Sequence, residues 1–167
     1  GVPLTADMSS DILSRPVPVK DFGLIYAGAQ KNIGPAGVCL VIIKDELVDR
    51  APEGLPAYLR YKTHAEKNSL YNTPPVFAVF AMNLVMKWIK EQGGVEGIEK
   101  INRKKADTVY QAIERNGGFY SCPVDPAVRS VMNVVFRLPK EELEKQFIQE
   151  AEEQGMIGLK GHRSVGG

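Results

Sequence analysis

Cysteine is scarce in this sequence. The two present, Cys39 and Cys122, are far apart and form no Cys-x-x-Cys pair. That argues against a disulfide framework and against a zinc site or other metal site, and it favours a reducing, cytoplasmic compartment. Cys39 lies in an apolar run and is expected to be a small core residue. No apolar run is long enough to span a bilayer, and no signal-peptide pattern opens the chain. An excess of one charge is also lacking, since 21 Lys and Arg balance 20 Asp and Glu for a formal net charge of +1. The basic excess or stripe of nucleic-acid binders is therefore missing, although a local anion site is compatible with that balance. There is no internal repeat and no low-complexity segment. What remains is ordinary globular composition: 44% hydrophobic and 25% charged residues in a chain of 167, which suits one domain or two small ones. The chain opens at Gly1-Val-Pro-Leu without a methionine and closes at Ser164-Val-Gly-Gly167, which reads as an interior piece of a longer protein.

The apolar patterning predicts three strands early in the chain, at residues 2–6, 22–27 and 37–43. The third, Gly37-Val-Cys-Leu-Val-Ile-Ile43, is apolar at successive positions, as in a strand covered on both faces. A turn or short helix is expected at Lys44-Asp-Glu-Leu47 and an irregular connection at 49–64, where Pro52 and Pro56 fall. Thr73-Pro-Pro75 predicts a helix start, with Thr73 as N-cap. This helix runs to Ile89 and stops at Gly93-Gly94. Its first three turns are apolar nearly all round, which predicts burial on several sides, in part by another subunit. A second helix is expected over 95–116. Strands are expected at 119–122 and 131–137, then a helix from Pro139 to Gly155 with an acidic first turn and a brief strand at 156–159.

Several residues could carry chemistry. Lys31 follows a strand and is flanked by Gly28, Gly34, Pro35 and Gly37, in a loop whose glycines let the backbone approach a ligand. A lysine held there is placed for imine chemistry, which requires a neutral amine as nucleophile; on pattern alone an exposed lysine in a turn is the better reading. Asp7 ends the first strand, where ligand contacts are expected in α/β sheets, and a carboxylate there could pair with a protonated ring nitrogen. An ordinary turn aspartate fits the same pattern. Asn72-Thr73 precedes an apolar helix whose free N–H groups suit a phosphate, or simple capping. Lys160-Gly-His-Arg163 could bind a phosphorylated or carboxylated substrate, or be a solvated basic turn. His64 has no evident partner.

The segments Ala6-Asp-Met-Ser-Ser10, Leu13-Ser-Arg-Pro16, Tyr26-Ala-Gly-Ala-Gln-Lys-Asn-Ile-Gly-Pro-Ala-Gly37, Tyr71-Asn-Thr-Pro-Pro75, Trp88-Ile-Lys90, Arg129-Ser-Val-Met-Asn133 and Leu159-Lys-Gly-His-Arg-Ser-Val-Gly-Gly167 together resemble the phosphoserine aminotransferases. These are fold-type-I pyridoxal-phosphate enzymes of the class V aminotransferase family. The resemblance covers essentially the whole chain, in order. It implies an α/β fold: the C-terminal part of the large domain over 1–95, including a helix from about 74 to 92, then most of a small α+β C-terminal domain over 96–167. It implies pyridoxal 5'-phosphate bound to Lys31 as a Schiff base, with Asp7 on the pyridine nitrogen and Gln30 near the cofactor phosphate. Asn72 and Thr73 would bind the phosphate of the cofactor held by the other subunit of a homodimer with shared sites. His162 and Arg163 would bind the substrate phosphate. The implied reaction is reversible amino transfer between glutamate and the phosphorylated oxo acid 3-phosphohydroxypyruvate in serine biosynthesis, with pyridoxine biosynthesis a further possibility; neither nucleic acid nor membrane is implied as a partner. The family carries further sequence on both sides of these segments, so the 167 residues alone are expected to be inactive. Another fold-type-I transaminase, or a non-catalytic fragment, are the alternatives. A phosphate-binding His162-Arg163 pair disfavours the first of these, having no use with an unphosphorylated substrate.

Overall fold

The computed structural model describes residues 1–161 and divides into two compact units, one ending at Arg103 and the next beginning at Lys104. The first unit is built on a three-stranded sheet in the order β1-β2-β3, with β1 Thr5–Asp7, β2 Leu24–Gly28 and β3 Cys39–Ile43. β1 and β2 are parallel, with Asp7 opposite Tyr26, and β3 runs back antiparallel with Cys39 opposite Gly28. The parallel pairing puts the C-terminal ends of β1 and β2 at the same edge of the sheet. The first strand begins later than expected, because residues 2–4 make no ladder; Leu4 instead accepts from the N–H groups of Gly23 and Leu24.

One face of this sheet is packed. In β2, Ile25 and Ala27 are buried while Tyr26 between them is exposed, the period-2 alternation of a strand. The core joins Met8, Ile12, Ile25, Ala27, Ala29 and Ile33, with Met82 and Met86 packed against it. In β3, by contrast, Val41 and Ile42 stay exposed, as does Cys39. The expectation of a two-sided strand with a core cysteine is therefore corrected: among the described residues nothing covers its second face.

Short helices α1 (Asp45–Val48) and α2 (Tyr61–Glu66) follow. The second occupies part of the stretch expected to be irregular. It is one and a half turns long, too short for a hydrophobic period to register. Helix α3 spans Val76–Glu91. Ala78, Met82 and Met86 turn towards the core, but Phe77, Phe80, Leu84 and Trp88 form a second stripe that is 48–77% exposed. The reading of an all-round apolar helix was correct in composition, yet within these residues only one of its faces is covered. Helix α4, Gly94–Glu114, begins in this unit. Its buried Asn102 donates from Nδ2 to the backbone oxygen of fully buried Ser14 at 3.1 Å.

The second unit corrects the sequence reading more sharply. The expected strands at 119–122 and 131–137 reduce to one reciprocal pair, Ser121 with Arg137. Pro123 has no N–H to extend that pair on one side. Farther along the partner segment, the Ser130 hydroxyl accepts the N–H groups of Met132 and Asn133 at 3.1 and 3.0 Å. This local turn competes with a ladder for the same donors. Residues 156–159 form no strand, and Gly155 and Gly158 both adopt positive φ there. What holds the unit is an edge-to-face aromatic cluster of Tyr120, Phe136 and Phe147, with ring centroids 5.6–6.3 Å apart. Phe147 comes from α5, Glu141–Glu153. The Arg137–Glu144 ion pair at 2.7 Å ties α5 to the bridge.

Candidate functional site

The edge where β1 and β2 both end brings Asp7 and the Lys31 loop, two of the sequence-predicted site elements, together. Past Gly28 the chain makes a helix-like turn in which Ile33 and Gly34 both donate to the Ala29 carbonyl, at 3.1 and 2.9 Å. Ala29 and Ile33 are fully buried, whereas Gln30 and Lys31 between them are exposed. Two apolar anchors four residues apart thus pin the turn from beneath and leave the amine outward. The loop returns through Gly37, whose φ of +111° only glycine adopts without strain. Helix α3 supports it from the side: a Cβ on Gly34 would lie 3.3 Å from that of Met82. Ile33→Ala is expected to cost about 2–5 kcal/mol in unfolding free energy, the range for a truncated core residue. Denaturant titration checks this, and a loss below about 0.5 kcal/mol, typical of surface changes, would show that Ile33 is no anchor.

Asp7 stands at the end of β1. Its Oδ1 accepts from the Ser9 N–H at 2.9 Å and from the Ser9 hydroxyl at 2.6 Å. These two bonds, the side-chain one foremost, hold its carboxyl below the usual carboxylate range, and the Lys31 charge lowers it further. Tyr26, opposite Asp7 in the ladder, is pushed up by that same carboxylate. The structure therefore brings Asp7 and the Lys31 loop to one edge, close enough for their charges to act on each other. Gln30 belongs to the same turn and folds back over Gly28, where an added Cβ would fall 2.6 Å from its Oε1.

Asn72 and Thr73 are exposed, and the segment they belong to reaches this loop, with Pro75 next to Gly37. Thr73 is not the N-cap. That position belongs to Pro75, with no side-chain cap bond, because Pro74 and Pro75 disfavour helical backbone at the residues before them. Asn72 instead donates from Nδ2 to the Thr73 carbonyl at 3.0 Å. The first-turn N–H groups of α3 thus have no side-chain cap. His162 and Arg163 lie outside the described residues. His64, which had no evident partner in the sequence, has one here: a ring nitrogen lies 2.7 Å from the Tyr58 carbonyl oxygen, and its ring meets those of Tyr58 and Tyr71 edge-on. Ser9 was not singled out by the sequence either. A serine two residues after an aspartate is a common turn pattern, and no local signal distinguishes this one.

An ionised carboxylate at one strand end and an exposed amine on the adjoining loop match the donor set that a protonated pyridine ring with an aldehyde would require. A family model for class-V aminotransferases matches residues 1–165. Phosphoserine aminotransferase of Niallia circulans is 58% identical over 166 residues, covering 99% of this chain and 46% of the relative. That of Geobacillus kaustophilus is 57% identical over 166 residues, with 99% and 46% covered. Among solved structures, phosphoserine aminotransferase from Bacillus circulans subsp. alkalophilus superposes with a TM-score of 0.94 at 57% identity, covering 100% of this chain and 46% of that one. A pyridoxal-phosphate-bound phosphoserine aminotransferase from Trichomonas vaginalis gives 0.91 at 37% identity, covering 99% and 48%. The chain spans about half the length of the curated relatives it matches.

Proposed function

The chain belongs to the class-V aminotransferase family, and from that premise we propose that it forms part of a phosphoserine aminotransferase using pyridoxal 5'-phosphate. The fold is a portion of the fold-type-I architecture, mixed α/β with a small sheet. In this reading residues 1–95 are the C-terminal part of the large domain and 96–167 most of the small one. The observation that carries the proposal is Asp7 and Lys31 at one sheet edge, with Asp7 held ionised. Pyridoxal phosphate, when bound, supplies a protonated ring that stabilises negative charge on the substrate's α-carbon. Lys31 would hold it covalently and would carry a proton on Nζ. Asp7 would hold the proton on the ring nitrogen, and Gln30 would bind near the cofactor phosphate.

Asn72 and Thr73 serve the second subunit's cofactor in a homodimer, with the uncapped N–H groups of α3 favouring an anion there. The exposed stripe Phe77, Phe80, Leu84 and Trp88 supports such a dimer, since monomers rarely leave a large contiguous apolar patch open. Among the described residues no helix is long and apolar enough to cross a membrane.

His162 and Arg163 bind the substrate phosphate, giving reversible transfer of the amino group from glutamate to 3-phosphohydroxypyruvate, with 2-oxoglutarate and O-phospho-L-serine as products. Steady-state assays of the full-length protein carrying this chain test the proposal. Arg163→Ala is expected to raise KM for the phosphorylated oxo acid about 10–100-fold, the scale of a lost charge-assisted hydrogen bond, with cofactor affinity unchanged. Equal turnover of hydroxypyruvate and its phosphorylated form would overturn the substrate assignment.

A further inference from the structure

Ser9 is 7% exposed and makes three hydrogen bonds that link the two strand ends of the site. Its N–H and its hydroxyl both donate to Asp7 Oδ1, at 2.9 and 2.6 Å. The Gly28 N–H donates to Ser9 Oγ at 2.9 Å. A hydroxyl has one proton, and Asp7 takes it, so the relay runs one way: Gly28 N–H to Ser9 Oγ–H to Asp7 Oδ1. Gly28 is the last residue of β2, and Lys31 follows it in the pinned turn. Both bonds from Ser9 fall on Oδ1.

We propose that Ser9 is a positioning residue: its hydroxyl locks the Asp7 carboxylate to the strand end that leads into Lys31, so that acid and amine are presented to the cofactor in one register. The inference rests on the assignment of Asp7 to the cofactor ring nitrogen. Were Ser9 only a turn-former, its N–H bond to Asp7 would suffice. The hydroxyl does something the N–H cannot, since it joins Asp7 to Gly28, which lies 19 positions beyond Ser9 in sequence. Outer partners that orient metal-ligating side chains are worth about 10–100-fold in affinity or activity, and an effect on that scale is expected here.

The test uses the full-length protein with three variants at this position. Without cofactor, the Asp7 carboxyl is titrated by 13C NMR. With ring-15N pyridoxal phosphate bound, the ring nitrogen shift reports its protonation. Ser9→Ala is expected to move the Asp7 titration up towards the ordinary carboxylate range and the ring resonance towards the unprotonated form. It should lower kcat about 10–100-fold with KM for glutamate within about twofold. Ser9→Thr, which keeps the hydroxyl, should restore both resonances. Ser9→Cys, close in size with a weak donor, should reproduce the alanine shifts with less packing loss, so a poorly folding alanine variant does not end the test. If Asp7→Asn moves the ring resonance and neither Ser9→Ala nor Ser9→Cys does, Ser9 is merely structural and the proposal fails while the Asp7 assignment stands. If Asp7→Asn also leaves it unmoved, both fail.

Discussion

Lys31→Ala in the full-length protein is expected to lower turnover by at least about 10²–10⁴-fold, the contribution of a positioned proton carrier alone, with the covalent attachment lost in addition. The fold should survive. Lys31 is exposed, the turn beneath it is held by Ala29 and Ile33, and its backbone bonds do not involve the side chain. Lys31→Arg sharpens the result. Arginine keeps the positive charge that acts on Asp7 but remains protonated and cannot serve as the nucleophile. Activity retained in the arginine variant would mean that Lys31 acts only as a charge.

Asp7→Asn is expected to lower kcat by about 10²–10³-fold, the scale found when one preorganised electrostatic partner is removed from a reacting site. The change is nearly isosteric and Asp7 is exposed, so the fold should survive. The pH dependence follows from the sign of the shift. The folded-state pKa of Asp7 is depressed by the bonds from Ser9. Its ionised form, and the stability those bonds contribute, are therefore fully present above the ordinary carboxylate range and are lost as pH falls through the lowered value. The cofactor's ring nitrogen should accordingly keep its partner down to pH values at which an ordinary aspartate would already be protonated. A ring-nitrogen signal that titrates in the ordinary aspartate range would contradict this.

The site elements that are local in sequence were legible in it, and those that depend on distant partners were not. The strand ending before Lys31 and the glycine-rich turn that holds it follow from apolar runs and glycine placement, and the structure has β2 and the turn there. Asp7 could be placed at a strand end for the same reason. Ser9 could not be picked out, because its meaning depends on Gly28, which only strand pairing brings near. The α3 stripe of Phe77, Phe80, Leu84 and Trp88 was visible as apolar, but composition does not say which face a neighbour covers. In the second unit, β-branched and aromatic residues at 131–137 suggested a strand. The Ser130 hydroxyl claims two of the N–H groups such a strand would need. Thr73 before two prolines looked like a helix cap, yet the prolines themselves set the start at Val76.

The most direct test of the central assignment is chemical. The full-length protein carrying this chain is incubated with pyridoxal phosphate, reduced with borohydride, digested, and searched by mass spectrometry for the modified lysine. The label should fall on Lys31 and vanish in Lys31→Arg; label on another lysine, such as Lys20 or Lys44, or none at all, would contradict the account.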